Sequence, residues 1–164
     1  MKNLFIIVSL LLSVNLFADS TAEINEYTSV IAENLCNRGD ANSCNSLGTS
    51  YAIGEGVKTD NFKAKQLFEK ACDLGSLKGC SNLGVFYFEG KGLRQDYSKA
   101  KELFEKGCDG EDANSCNRLG VLYAKGLGVE QDYSKAKKLF GKACDQGSQS
   151  GCRTFRIYNE EGIK

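Results

Sequence analysis

The eight cysteines stand at positions 36, 44, 72, 80, 108, 116, 144 and 152, so one Cys-x7-Cys unit is copied along the chain with a period of 36 residues. The rest of the chain keeps that register. Leu47, Leu83 and Leu119 align, as do Gly48, Gly84 and Gly120, and then Tyr51, Tyr87 and Tyr123. Gly54-x-Gly56 recurs as Gly90-x-Gly92 and Gly126-x-Gly128, and Asp60 recurs as Asp96 and Asp132. Lys63-Ala64-Lys65 and Leu67-Phe68 each have two further copies. A fixed period of this length builds stacked supersecondary units, because one unit alone buries too little apolar surface and its neighbours must complete the core.

Each unit reads as two helices. In a helix A over 79–88, Cys80, Leu83, Gly84 and Tyr87 fall at i, i+3, i+4 and i+7, one helical face. In a helix B over 97–108, Ala100, Leu103, Phe104, Gly107 and Cys108 repeat that spacing, with lysines and glutamates opposite. Gly90 ends helix A, because glycine takes the left-handed conformation of a helix C-terminus. Asp96 caps helix B by accepting from first-turn amides. Glycine inside helix A costs ~1 kcal/mol relative to alanine, so Gly48, Gly84 and Gly120 call for a close helix-to-helix approach.

The ends of the chain depart from the pattern. Lys2, the apolar run 4–17 and the small Ala18 read as a signal peptide over 1–18. The run is too short for the ~20 residues of a membrane-spanning helix, so no span is expected after cleavage and the product is expected to be periplasmic or secreted. Residues 19–36 form an N-terminal capping helix of the B type, with Thr28, Ile31, Ala32 and Leu35 in place of Ala64, Leu67, Phe68 and Ala71. Residues 37–152 hold three disulfide-stapled helical repeats, and 153–164 a C-terminal capping helix and tail. In that last helix Arg156 replaces the repeated glycine and Asn159 the tyrosine, polar substitutions suited to an end on which nothing stacks. The expected fold is all-α: a right-handed α/α solenoid of 36-residue repeats, about eight helices stapled by four disulfides.

An exported chain meets an oxidising compartment, where cysteines pair. In an antiparallel helical hairpin the end of one helix and the start of the next lie within disulfide reach. Of 105 connectivities, this selects Cys36–Cys44, Cys72–Cys80, Cys108–Cys116 and Cys144–Cys152. The absence of histidine and of Cys-x2-4-Cys spacing argues against structural zinc, and no metal site or cofactor is expected. Histidine-based triads are excluded with it. Lys plus Arg and Asp plus Glu are both 21, so the basic excess of a nucleic-acid binder is missing.

With Leu-Gly-x-x-Tyr, Gly-x-Gly and Asp-x-x-Lys-Ala-Lys-x-Leu-Phe in phase three times, the chain resembles the tetratricopeptide-like superfamily and its Sel-one-like repeat branch. The Cys-x7-Cys staple makes it most similar to the secreted Helicobacter cysteine-rich proteins. The resemblance implies an extracytoplasmic scaffold for protein or peptide ligands of the envelope or host. It also implies an alternative, a penicillin-binding or weak β-lactamase activity on a β-lactam or a peptidoglycan-like small molecule.

Serine enzymes of that second class use Ser-x-x-Lys. The chain carries Ser98-x-x-Lys101 and Ser134-x-x-Lys137, each in the first turn of a helix B. The helical wheel turns these residues away from the apolar face, where nothing desolvates the lysine enough to make it a base. For the scaffold reading, the face of helix A opposite Leu83, Gly84 and Tyr87 supplies the candidates. These are Asn45 in the first repeat, Asn82, Val85 and Phe86 in the second, and Asn117, Arg118, Val121 and Leu122 in the third. Such a mixed stripe suits an extended peptide, whose backbone needs hydrogen-bond partners and whose side chains need shallow pockets. Phe86 and Leu122 are expected to be exposed there.

Overall fold

A computed structural model describes residues 27–163; the expected signal segment 1–18, residues 19–26 of the N-terminal cap and Lys164 lie outside the described residues. Within them are eight helices and no strand. Helix α1 covers 27–37. It is followed by α2 (Ala41–Ile53), α3 (Asn61–Asp73), α4 (Leu77–Glu89), α5 (Tyr97–Asp109), α6 (Ala113–Lys125), α7 (Tyr133–Asp145) and α8 (Gln149–Glu160). From α2 onward each helix packs on the next, and the Cys36–Cys44 bond joins α1 to α2, which makes an α/α solenoid with α2, α4, α6 and α8 as A helices and the others as B helices.

The A helices start earlier than their cysteines suggest. Asp40, Ser76, Asp112 and Ser148 hold extended backbone and accept from the amides of Ser43, Gly79, Ser115 and Gly151, so helix begins three residues before each cysteine. Such caps satisfy first-turn donors that have no partner within the helix. On the B helices, Asp60, Asp96 and Asp132 accept from Lys63, Lys99 and Lys135, as expected. Gly54, Gly90 and Gly126 close the A helices at φ 82°, 71° and 66°.

The helical glycines are notches for aromatic rings. A Cβ on Gly48, Gly84 or Gly120 would stand 2.8, 2.6 or 2.8 Å from the ring of Phe68, Phe104 or Phe140 on the following B helix. Those three rings are at most 2% exposed and form the centre of the core. The four cysteine pairs are bonded as expected, with Cα–Cα separations of 4.6, 4.5, 4.5 and 4.4 Å.

Between repeats, the A helices approach one another. α2 touches α4 and α6 touches α8, and among the described residues no two successive B helices touch as closely, which puts the A helices on the inner side. The loops after α4 and α6 press on the starts of the preceding B helices α3 and α5: a Cβ on Gly92 would lie 2.8 Å from the Asn61 Cβ, and one on Gly128 2.7 Å from the Tyr97 Cβ. Lys106 Nζ donates 3.3 Å to the Cys72 carbonyl of the preceding hairpin. At the C-terminal end, Arg156 and Asn159 face solvent.

Candidate protein-interaction site

The inner face is built by A-helix residues that point away from the Phe-filled notches. Asn45 and Asn82 are half-buried, and Asn82 Nδ2 donates to Asn45 Oδ1 at 2.8 Å, tying α2 to α4. Val85, Asn117, Arg118 and Val121 are also half-buried. The two valines pack against the C-terminal core, which leaves each with one shielded edge and one open edge.

Phe86 and Leu122 do not belong to this face. Phe86 is 4% exposed and Leu122 fully buried. The Phe86 ring meets Phe68 edge-on at 5.2 Å, and in the same register Tyr158 meets Phe140 at 5.4 Å. A helical wheel accounts for one hairpin, whereas an A helix has two B-type partners, the one that follows it and the one that precedes it. The register of Phe86, Leu122 and Tyr158 serves the preceding one.

Two clefts open along the inner face. The first, about 390 Å³, lies between α1 and α2 and includes Asn45, Thr49, Ser50 and Glu55. The second, about 350 Å³, lies where α4, α6 and α8 converge and is lined by Phe88, Asn114, Asn117, Arg118, Val121, Lys125 and Ser150. The register Ile53, Glu89, Lys125 changes from apolar to acidic to basic along the groove. Other lysines are tied down. Tyr51 Oη accepts from Lys63 Nζ at 2.6 Å and Tyr123 Oη from Lys135 Nζ at 2.7 Å, which holds both ammonium groups above their ordinary pKa.

The Ser-x-x-Lys residues lie elsewhere. Ser98 and Ser134 are exposed at the starts of α5 and α7. Lys101 pairs with Glu105 at 3.3 Å, and Lys137 Nζ donates 3.3 Å to the Ile163 carbonyl. Neither lysine is turned on its serine. The A-helix caps Asp40, Ser76, Asp112 and Ser148 were not expected from the sequence, although they carry the 36-residue period themselves. Phe88 and Asn114 were not expected as lining groups, since only the convergence of three helices brings them beside Arg118 and Lys125.

The Sel1 repeat profile matches residues 41–76, 77–112 and 113–148. The chain belongs to the Sel1 repeat family. Its profile boundaries coincide with the A-helix starts set by the caps. Among solved structures, this Sel1 repeat chain is similar to a Sel1 repeat protein from Oxalobacter formigenes, at 27% identity and a TM-score of 0.72 over 76% of this chain and 51% of that one. It is similar also to cysteine rich protein B of Helicobacter pylori, at 30% identity and 0.66 over 82% and 96%. A protective antigen of uropathogenic Escherichia coli matches at 25% identity and 0.60 over 82% and 37%. The chain thus spans about half of the Oxalobacter protein and about a third of the Escherichia one. No curated protein matches it.

A disulfide-rich Sel1 repeat fold supports a role as a protein-interaction scaffold, and four disulfides suit an oxidising, extracytoplasmic setting. Among the described residues no helix is long and apolar enough to cross a membrane.

Proposed function

We propose that this Sel1 repeat protein is exported through cleavage after Ala18 and binds an extended polypeptide of the envelope or host along the inner face of its A helices. The observation that carries the reading is the half-buried amide pair Asn45–Asn82, set between two clefts on one continuous face. Amides serve as donors and acceptors at once, which is what an extended backbone requires of its partner. The β-lactam alternative has only the resemblance behind it, with Ser98 and Ser134 on solvated helix starts.

The test compares crosslinked partners of the wild type with those of an Asn45→Ala/Asn82→Ala/Arg118→Glu variant in the native envelope. Replacing both amides together leaves no orphaned partner, so the fold is retained. The variant is expected to lose the partners that the wild type crosslinks, and mass analysis of the exported chain is expected to begin at Asp19. Recovery of the same partners at the same yield would place binding on another face.

A further inference from the structure

Residues 37 apart face each other across successive A helices, as Asn45 and Asn82 do. At the C-terminal end of the groove the same step in sequence relates Asn117 of α6 to Thr154 of α8. Thr154 commits its hydroxyl to the Ser150 carbonyl at 3.0 Å inside its own helix. Asn117 Oδ1 is left buried with no hydrogen-bond partner. A buried acceptor without a donor is costly and is satisfied in most folded proteins.

The surroundings of that oxygen say what kind of donor would fit. Arg118 and Lys125 line the same cleft, walled by Phe88, Val121 and Ser150. Neither cation belongs to an ion pair among the described residues. Glu89, which precedes Lys125 by one repeat, is held by Lys91 at 2.6 Å. The cleft at the other end of the groove holds Glu55 and no basic side chain. Arg118 and Lys125 are seven residues apart, ~10 Å along the helix axis, more than one carboxylate spans.

We propose that the cleft between α4, α6 and α8 takes an acidic run of an extended polypeptide, one backbone N–H bonding Asn117 Oδ1 while neighbouring carboxylates engage Arg118 and Lys125. The proposal rests on the groove reading above and adds the guest's chemistry and direction: its acidic end lies toward α8. Opposite charges along a groove fix orientation and speed association more than they add affinity.

The test uses the oxidised full chain and fluorescein-labelled peptides of alternating Glu and Ala, Lys and Ala, or Ser and Ala. All have amidated C-termini, with a free-acid version of the Ser and Ala peptide. Fluorescence anisotropy should rank the Glu peptide at least about tenfold above the Lys peptide, an advantage that shrinks as salt rises. Arg118→Gln/Lys125→Gln should remove that advantage. Asn117→Ala should weaken the Glu peptide several-fold while leaving the melting temperature of the free protein unchanged or raised, because it deletes an unsatisfied oxygen. Binding without acidic preference, or a gain confined to the free-acid peptide, overturns this inference and leaves the groove standing. A lower melting temperature for Asn117→Ala overturns it too. Failure of every peptide to bind overturns both readings.

Discussion

At the scale of single residues, the solenoid is governed by where a Cβ is missing. In three of the four hairpins the end of the B helix meets the start of the next A helix so closely that two ordinary side chains do not fit. In the second and fourth hairpins the pairs are Ala71 with Gly79 and Ala143 with Gly151, and a Cβ on the glycine would lie 2.6 or 2.8 Å from the alanine methyl. In the third the pair is reversed: Gly107 yields to Ser115, where an added Cβ would stand 2.7 Å from the serine Cβ. The exchange gives Ser115 room for a hydroxyl that bonds Asp112 Oδ2 at 2.6 Å. Gly107→Ala should therefore cost ~1–3 kcal/mol through overpacking. Combined with Ser115→Gly it should regain much of that, a coupling of ~0.5–3 kcal/mol measured by urea unfolding of the four variants. Strictly additive effects would show that the two positions do not compete for space.

At the scale of the element, a helix here is a short rod defined by its ends. Each A and B helix between α2 and α7 is 13 residues long, which alone is marginal in water. Caps and sulfur bridges supply what length does not. Asp40 Oδ1 accepts from the Ser43 amide at 2.6 Å, and this backbone bond, with a smaller side-chain one, lowers the pKa of its carboxyl. The sign follows from linkage: a carboxyl whose folded pKa is depressed stabilises above its unfolded pKa, about 3.9, and that contribution is lost as the pH falls through the folded value. Asp40→Asn keeps a cap but no longer titrates. Its urea midpoint should fall less steeply than that of the wild type as the pH drops below about 4. Parallel curves would mean that the Asp40 charge does nothing for α2.

At the scale of the whole molecule, stability is passed from neighbour to neighbour rather than pooled in one core, as in any solenoid. The four bridges differ in access. Cys36, Cys44, Cys72, Cys80, Cys108 and Cys116 are at most 4% exposed, whereas Cys144 and Cys152 are half-buried. Cys152 also borders a cleft with Arg153 and Arg156, whose charges attract an incoming thiolate. Under limiting reductant, Cys144–Cys152 should open first, seen by alkylation and peptide mapping. Hydrogen exchange should then show α8 released while α2 to α5 stay protected. Equal labelling of all four pairs would refute unequal access. Opening a closed loop of this size weakens the chain by ~2–3 kcal/mol, and the effect should remain local because α8 packs chiefly on α7.

The period of the sequence by itself determined the number of repeats, the helix order, the cysteine pairing and the glycine notches. Each of these depends on contacts within one copied unit, so spacing along the chain already states it. The tertiary structure decided which positions of helix A face outward. Phe86 and Leu122 look free on a wheel and are buried, because a helix in a stack answers to the hairpin before it as well as to its own. It also decided that Asn117 differs from Asn45. Both are asparagines in one register, yet Asn45 Oδ1 accepts from Asn82 while Asn117 Oδ1 is buried without a donor.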